Sequence, residues 1–110
     1  MSTQDQEQEV LLETIMGLIM HSGDAKSDAL EAISAAKTGD FETAEDKIAA
    51  AGEAIEEARK IQSNLLTHEA SGDKVDISLL LTHGQDHLMN AITFKDLAIE
   101  VIEVYKRLEK

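Results

Sequence analysis

The chain has 110 residues, enough for one domain spanning residues 1–110, and carries a formal charge of −12 with no proline and no cysteine. That acid excess argues against nucleic acid and against insertion into an anionic membrane surface, both of which demand a basic face. The missing thiols exclude a disulfide framework and a thiolate metal site, and suit a reducing cytoplasm. With one tyrosine, two phenylalanines and no tryptophan, the core must be aliphatic, in a composition typical of long helices.

The opening "MSTQDQEQ" is polar, and fraying is expected there. It lacks the basic start of a secretory leader. The first helix is expected over about residues 8–37, carried by Leu11, Leu12, Ile15, Met16, Leu18, Ile19, Ala29, Leu30, Ile33 and Ala36. Its apolar run from Leu11 to Met20 is broken by Glu13 and Thr14, and is too short to span a bilayer. Gly23 in "HSGDAKS" costs about 1 kcal/mol relative to alanine in a helix interior. It marks either a bend or a close contact.

"KTGD" ends this helix. Gly39 can take the left-handed conformation that closes a helix, and Asp40 can cap the next with Thr43 at its third position. The second helix, about 41–70, presents Phe41, Ala44, Ile48, Ala51, Ile55, Ala58, Gln62 and Leu65 in alternating steps of three and four. Its alanines invite close approach by a neighbour. In "ASGDKVDIS", Gly72 reads as a second terminator, and Asp76 or Ser78 as the cap of a third helix, about 78–108. Short connections force an antiparallel, all-α, up-down-up bundle of three helices.

On a helical wheel the third segment places Leu79, His83, Asp86, Asn90, Thr93, Leu97, Val101, Val104 and Leu108 on one stripe. Ala98, Ile102 and Tyr105 form a second, with Phe94 between. Together they make an apolar arc of about 160°, wider than the usual ~100°. One internal core cannot cover such an arc. The expected remedy is a homo-oligomer that buries the second stripe on its own copies.

Polar residues interrupt the first stripe: His83, Asp86, Asn90 and Thr93, with His87 one turn from His83. Burying them is costly unless they are paired or ligated. A seam polar residue can fix register, but so many point to a site. Three chemistries could use them. "HGQDH" spaces two imidazoles on one face, as metal hydrolases do, but Gly84 stands where the glutamate of a zinc-protease motif would be. The inverted pattern is met only by the shorter Asp86, and no third ligand follows. Alternatively, a neutral imidazole can take a phosphoryl group without a separate base. Gly84 would let the donor approach, and the start of the third helix would favour an anion. With no glycine-rich nucleotide loop, a phosphoprotein is the fitting donor. Finally, Asp86 and its copies around a three-fold axis would need a hard cation such as Mg²⁺.

"HGQDHLM" followed by a long apolar helix resembles the lactose/cellobiose-type IIA components of the bacterial sugar phosphotransferase system. The likeness extends to "GLIMHSGDAKSDALEAISAAKTGDFETAEDKI", "ARKIQSNLLTHEASG" and "SLLLTHGQDHLMNAITFKDLAIEVIEVYKRL", nearly the whole chain. It implies a cytoplasmic homotrimer assembled through the third helix. It implies that His83 receives a phosphoryl group from phospho-HPr and passes it to a IIB component. It further implies that Asp86 binds the metal at the subunit interface, with Gln85 and His87 shaping the site. The alternative is a structural or metal-binding helical trimer without transfer chemistry. The transported sugar is not encoded in a carrier that does not touch it.

Other polar and sulfur side chains read as ordinary. His21 is expected to be packed or half-exposed, and His68 exposed. Met16, Met20 and Met89 are expected in the core. "EAIEEARK" reads as a solvated face with a Glu56–Lys60 ion pair.

Overall fold

The computed structural model describes residues 3–72, 75 and 78–109. Its elements are α1 (Thr3–Lys37), α2 (Phe41–Ala70) and α3 (Leu79–Leu108), and no strand occurs among the described residues. The first helix begins at Thr3 rather than near residue 8. Its polar start is rich in glutamine and glutamate, which are good helix formers, so polarity there marks exposure and not a break. Gly23 does not interrupt α1, which runs unbroken through it.

The turn between α1 and α2 follows from its sequence. Gly39 has φ 82°. Its N–H donates to the Ala36 carbonyl, and the Asp40 N–H donates to the Ala35 carbonyl. This double closure satisfies carbonyls that the end of a helix would orphan. The Asp40 carboxylate then accepts from the Thr43 N–H at 3.2 Å; the Thr43 hydroxyl first, and then that N–H, hold its carboxyl below the usual range. One residue thus closes α1 and opens α2. At the far end Gly72 has φ 102°. Ser78 caps α3 by accepting from the Leu81 N–H at 3.0 Å; Asp76, the other candidate cap, lies outside the described residues.

The core is a stack of layers that also fixes the helix directions. Ile15, Leu65 and Leu81 form one end. Leu18, Ala25, Ile55, Ala58, Leu88 and Ala91 follow, then Ala29, Ala51 and Ala98. Ala32, Ala36, Ala44 and Ile102 close the other end. Numbers rise along the stack in α1 and α3 and fall in α2, so the bundle runs up, down, up. It is elongated, 63 × 24 × 19 Å. The α2 seam is as expected, with Ala44, Ala51, Ile55, Ala58 and Leu65 buried.

In α3 the two stripes are reversed. The helix turns Leu81, Gly84, Leu88, Ala91, Ala98 and Ile102 into the bundle. The stripe of larger residues faces outward: Leu79 is 88% exposed, Leu97 61%, Val104 56% and Leu108 71%. Small residues let α1 and α2 come close, so the stripe with glycine and alanine wins the interior. Met16, Met20 and Met89 are exposed and not in the core. They flank the seams by one helical position, and narrow alanine-lined interfaces leave no room for them.

Candidate functional site

Ser78 starts α3, and His83 follows in its second turn. A helical side chain leans toward its own N-terminus, so the His83 ring is carried back over the first turn. His83 is exposed, and His87, one turn on, is half-buried. Their rings stack with centroids 5.7 Å apart and planes within 12°. Burial, then the Lys26 charge, then the His83 ring lower the affinity of His87 for a proton below the ordinary 6.5. At neutral pH His87 is therefore uncharged, and no like-charge repulsion opposes the stack.

Glycines set how closely α1 and α3 approach here. A side-chain carbon on Gly84 would meet Leu18 Cδ2 at 3.1 Å and Ile19 Cγ1 at 3.5 Å. Gly84 is buried, so it serves packing against α1 and does not open a path for a donor. Gly23 is the close contact its sequence position allowed: a carbon added there would lie 3.5 Å from His87 Nε2.

Gln85 points elsewhere. Its Oε1 accepts from Gln62 Nε2 at 2.5 Å, about 200° around the helix from His83. The bond explains the polar step in the α2 seam: Gln62 is half-buried and paired across to α3. Thus His83 and His87 come together, whereas Gln85 belongs to the α2–α3 contact. Asp86, Asn90 and Thr93 are exposed on the outer stripe beyond the rings. The cost of burying them does not arise within one chain. Among the described residues, no three histidines or carboxylates converge to hold a cation.

Sequence reasoning missed Lys26, a half-buried cation on α1. The signal available was its spacing, one turn after Gly23. His21 is half-exposed and His68 exposed, as expected. On α2, Lys60 reaches Glu57 at 3.1 Å rather than Glu56, which lies 3.8 Å from Arg59. No helix among the described residues is long and apolar enough to cross a membrane.

Comparison with known proteins gives the chain a family and matches its fold. The family described as "PTS system, Lactose/Cellobiose specific IIA subunit" matches residues 13–106. The lichenan-specific phosphotransferase enzyme IIA component of Bacillus subtilis is 45% identical over 100 residues, 91% of either chain. The crystal structure of the PTS cellobiose-specific enzyme IIA from Bacillus anthracis superposes with a TM-score of 0.88. It is 46% identical and covers 99% of this chain and 94% of its own. The IIA(chitobiose) structure, solved as an HPr complex of the Escherichia coli phosphotransferase system, has a TM-score of 0.80 at 38% identity. It covers 91% of this chain and 97% of its own. A family match across most of the chain, relatives near half identical and a shared three-helix fold lead to one conclusion: this chain belongs to the lactose/cellobiose-specific IIA family of the phosphotransferase system.

Proposed function

We propose that the protein is a cytoplasmic phosphocarrier that accepts a phosphoryl group on His83 from phospho-HPr. It passes the group to a IIB component during uptake of a lactose- or cellobiose-type sugar. The carrying observation is the exposed His83 ring in the second turn of α3, stacked on an uncharged His87. A lone pair on a His83 ring nitrogen forms the bond to phosphorus as the donor's bond to phosphorus breaks. The released electron pair returns to the donor. The chain supplies positioning and a docking face more than covalent activation. HPr as donor is supported by the related IIA(chitobiose) structure solved with HPr.

The outer stripe of α3 supports assembly as a homotrimer. Leu97, Val101, Val104 and Leu108 form an apolar row that a lone subunit leaves in water, and three copies around an axis would cover it. In that trimer Asp86 and its copies would meet, and Mg²⁺ or a similar hard cation would offset their repulsion. Its chemistry would be structural.

The test is incubation with phospho-HPr. An acid-labile adduct, present in the wild type and absent in His83→Ala, is the expected result. An unmodified wild type, still trimeric, would instead identify a structural trimer without transfer chemistry.

A further inference from the structure

We propose that Gln62, on α2, is a positioning residue: through its bond to Gln85 it sets the rotation of the start of α3, and so the direction of the His83 ring. The inference rests on His83 being the phosphorylated residue, and names what aims it.

Three successive residues divide the second turn of α3. His83, Gly84 and Gln85 lie about 100° apart around the helix. His83 is exposed, Gly84 rests on Leu18 and Ile19 of α1, and Gln85 accepts from Gln62 of α2. The histidine that faces out is thus aimed by the two residues that face in.

The two inner holds differ in kind. The Gly84 contact is between apolar surfaces, whose attraction has little directional preference. The amide pair is directional: Gln62 Nε2 donates to Gln85 Oε1 at 2.5 Å, in a part-buried setting, and such bonds weaken steeply as they bend. Two other polar links between helices, Lys47–Glu31 and Lys106–Glu45, join exposed side chains at the opposite end of the bundle. Packing alone does not ask for a glutamine here. Gln62 stands in the α2 seam among Ile55, Ala58 and Leu65, where an aliphatic pair would leave no amides to satisfy.

Chain connection leaves this rotation to be fixed by contacts. Residues 38–40 join α1 to α2, whereas residues 71–78 join α2 to α3, and the freedom of a connection grows with its length. Rotation matters for in-line transfer. A ring nitrogen about 6 Å from the helix axis moves about 1 Å when the helix turns by about 10°. A misplacement of that size can slow a positioned reaction by up to ~100-fold.

The test compares wild type, Gln62→Leu, Gln62→Glu and the double variant Gln62→Leu with Gln85→Leu. Each is followed by single-turnover transfer from phospho-HPr over a range of donor concentration, by ring resonances of His83 and His87, and by thermal unfolding. Gln62→Leu should slow transfer at saturating donor by about tenfold, leave the half-saturating concentration unchanged and shift the ring resonances. Gln62→Glu should restore the rate, because its carboxylate can accept from the Gln85 Nε2 once that amide turns over. The double variant should regain the thermal midpoint, since no amide is left unpaired, yet stay slow. A double variant as fast as wild type would reduce the pair to packing and overturn the inference. So would Gln62→Leu at the wild-type rate, Gln62→Glu as slow as Gln62→Leu, or a loss confined to the half-saturating concentration, which would place Gln62 in donor docking. A wild type that takes no phosphoryl group would overturn the reading of His83 itself, and this inference with it.

Discussion

The inner and outer stripes of α3 are made from one helix yet have opposite fates. The inner stripe, Leu81, Gly84, Leu88, Ala91, Ala98 and Ile102, is buried by α1 and α2. The outer stripe holds the larger apolar residues Leu79, Leu97, Val101, Val104 and Leu108, all exposed. Between them, at the edge facing α1, sit the two histidine rings. The larger apolar side chains do not become the core. The bundle selects the face that permits close approach, and the bulkier face is left exposed. The polar residues on that bulkier face are exposed and take no part in the core of one chain.

This contrast can be broken in several ways, with the largest effect at the outer stripe. Leu97→Glu combined with Val101→Glu should leave helicity intact and reduce the sedimenting mass from trimer to monomer, since like charges would meet around the axis. A trimer that survives both substitutions would remove the outer stripe from the interface. On the inner stripe, Leu88→Ala should cost about 3 kcal/mol in urea unfolding, because Leu88 is fully buried and the cavity cannot collapse. Gly84→Val should cost about 2 kcal/mol by forcing Leu18 and Ile19 aside, read as a lower thermal midpoint. A neutral result would show that α1 can yield at the site.

The smallest effect concerns pH. The folded state lowers the proton affinity of His87 below 6.5, chiefly through burial. The unfolded chain therefore binds more protons as pH falls. The stability from the neutral ring is full above about pH 6.5 and is lost as pH drops through the folded value. His87→Gln should lose less stability than wild type between pH 7.5 and 5. Equal slopes would place the ring in a more solvated setting than its contacts with Gly23 and His83 indicate.

Much of this architecture is legible in the sequence because local chemistry dictates it. Gly39 and Gly72 announce their positive φ, and the α2 seam follows from periodicity alone. The assignment of faces on α3 is not legible in that way. Both stripes have helical spacing, and choosing between them requires the neighbour's shape: Leu18 packs onto Gly84, and Gly23 onto His87. For the same reason Met16 and Met20 look like core residues until alanine contacts close the interface without them. The motif around His83 carries the site in the sequence. The approach of Gly23 to His87 crosses from α1 to α3, and spacing within either helix cannot reveal it.

Asp40 has a consequence for the order of folding. Its backbone N–H ties off α1, and its carboxylate begins α2. The two helices are thus joined by a turn with almost no chain to close, and closing it costs little entropy. The pair is a local hairpin, favoured to form early. The third helix then arrives as a docking strut whose inner face is already matched by a groove. A chain emerging from the ribosome could assemble this hairpin before Leu79–Leu108 is complete. The outer apolar row would then appear only when there is a folded subunit to display it.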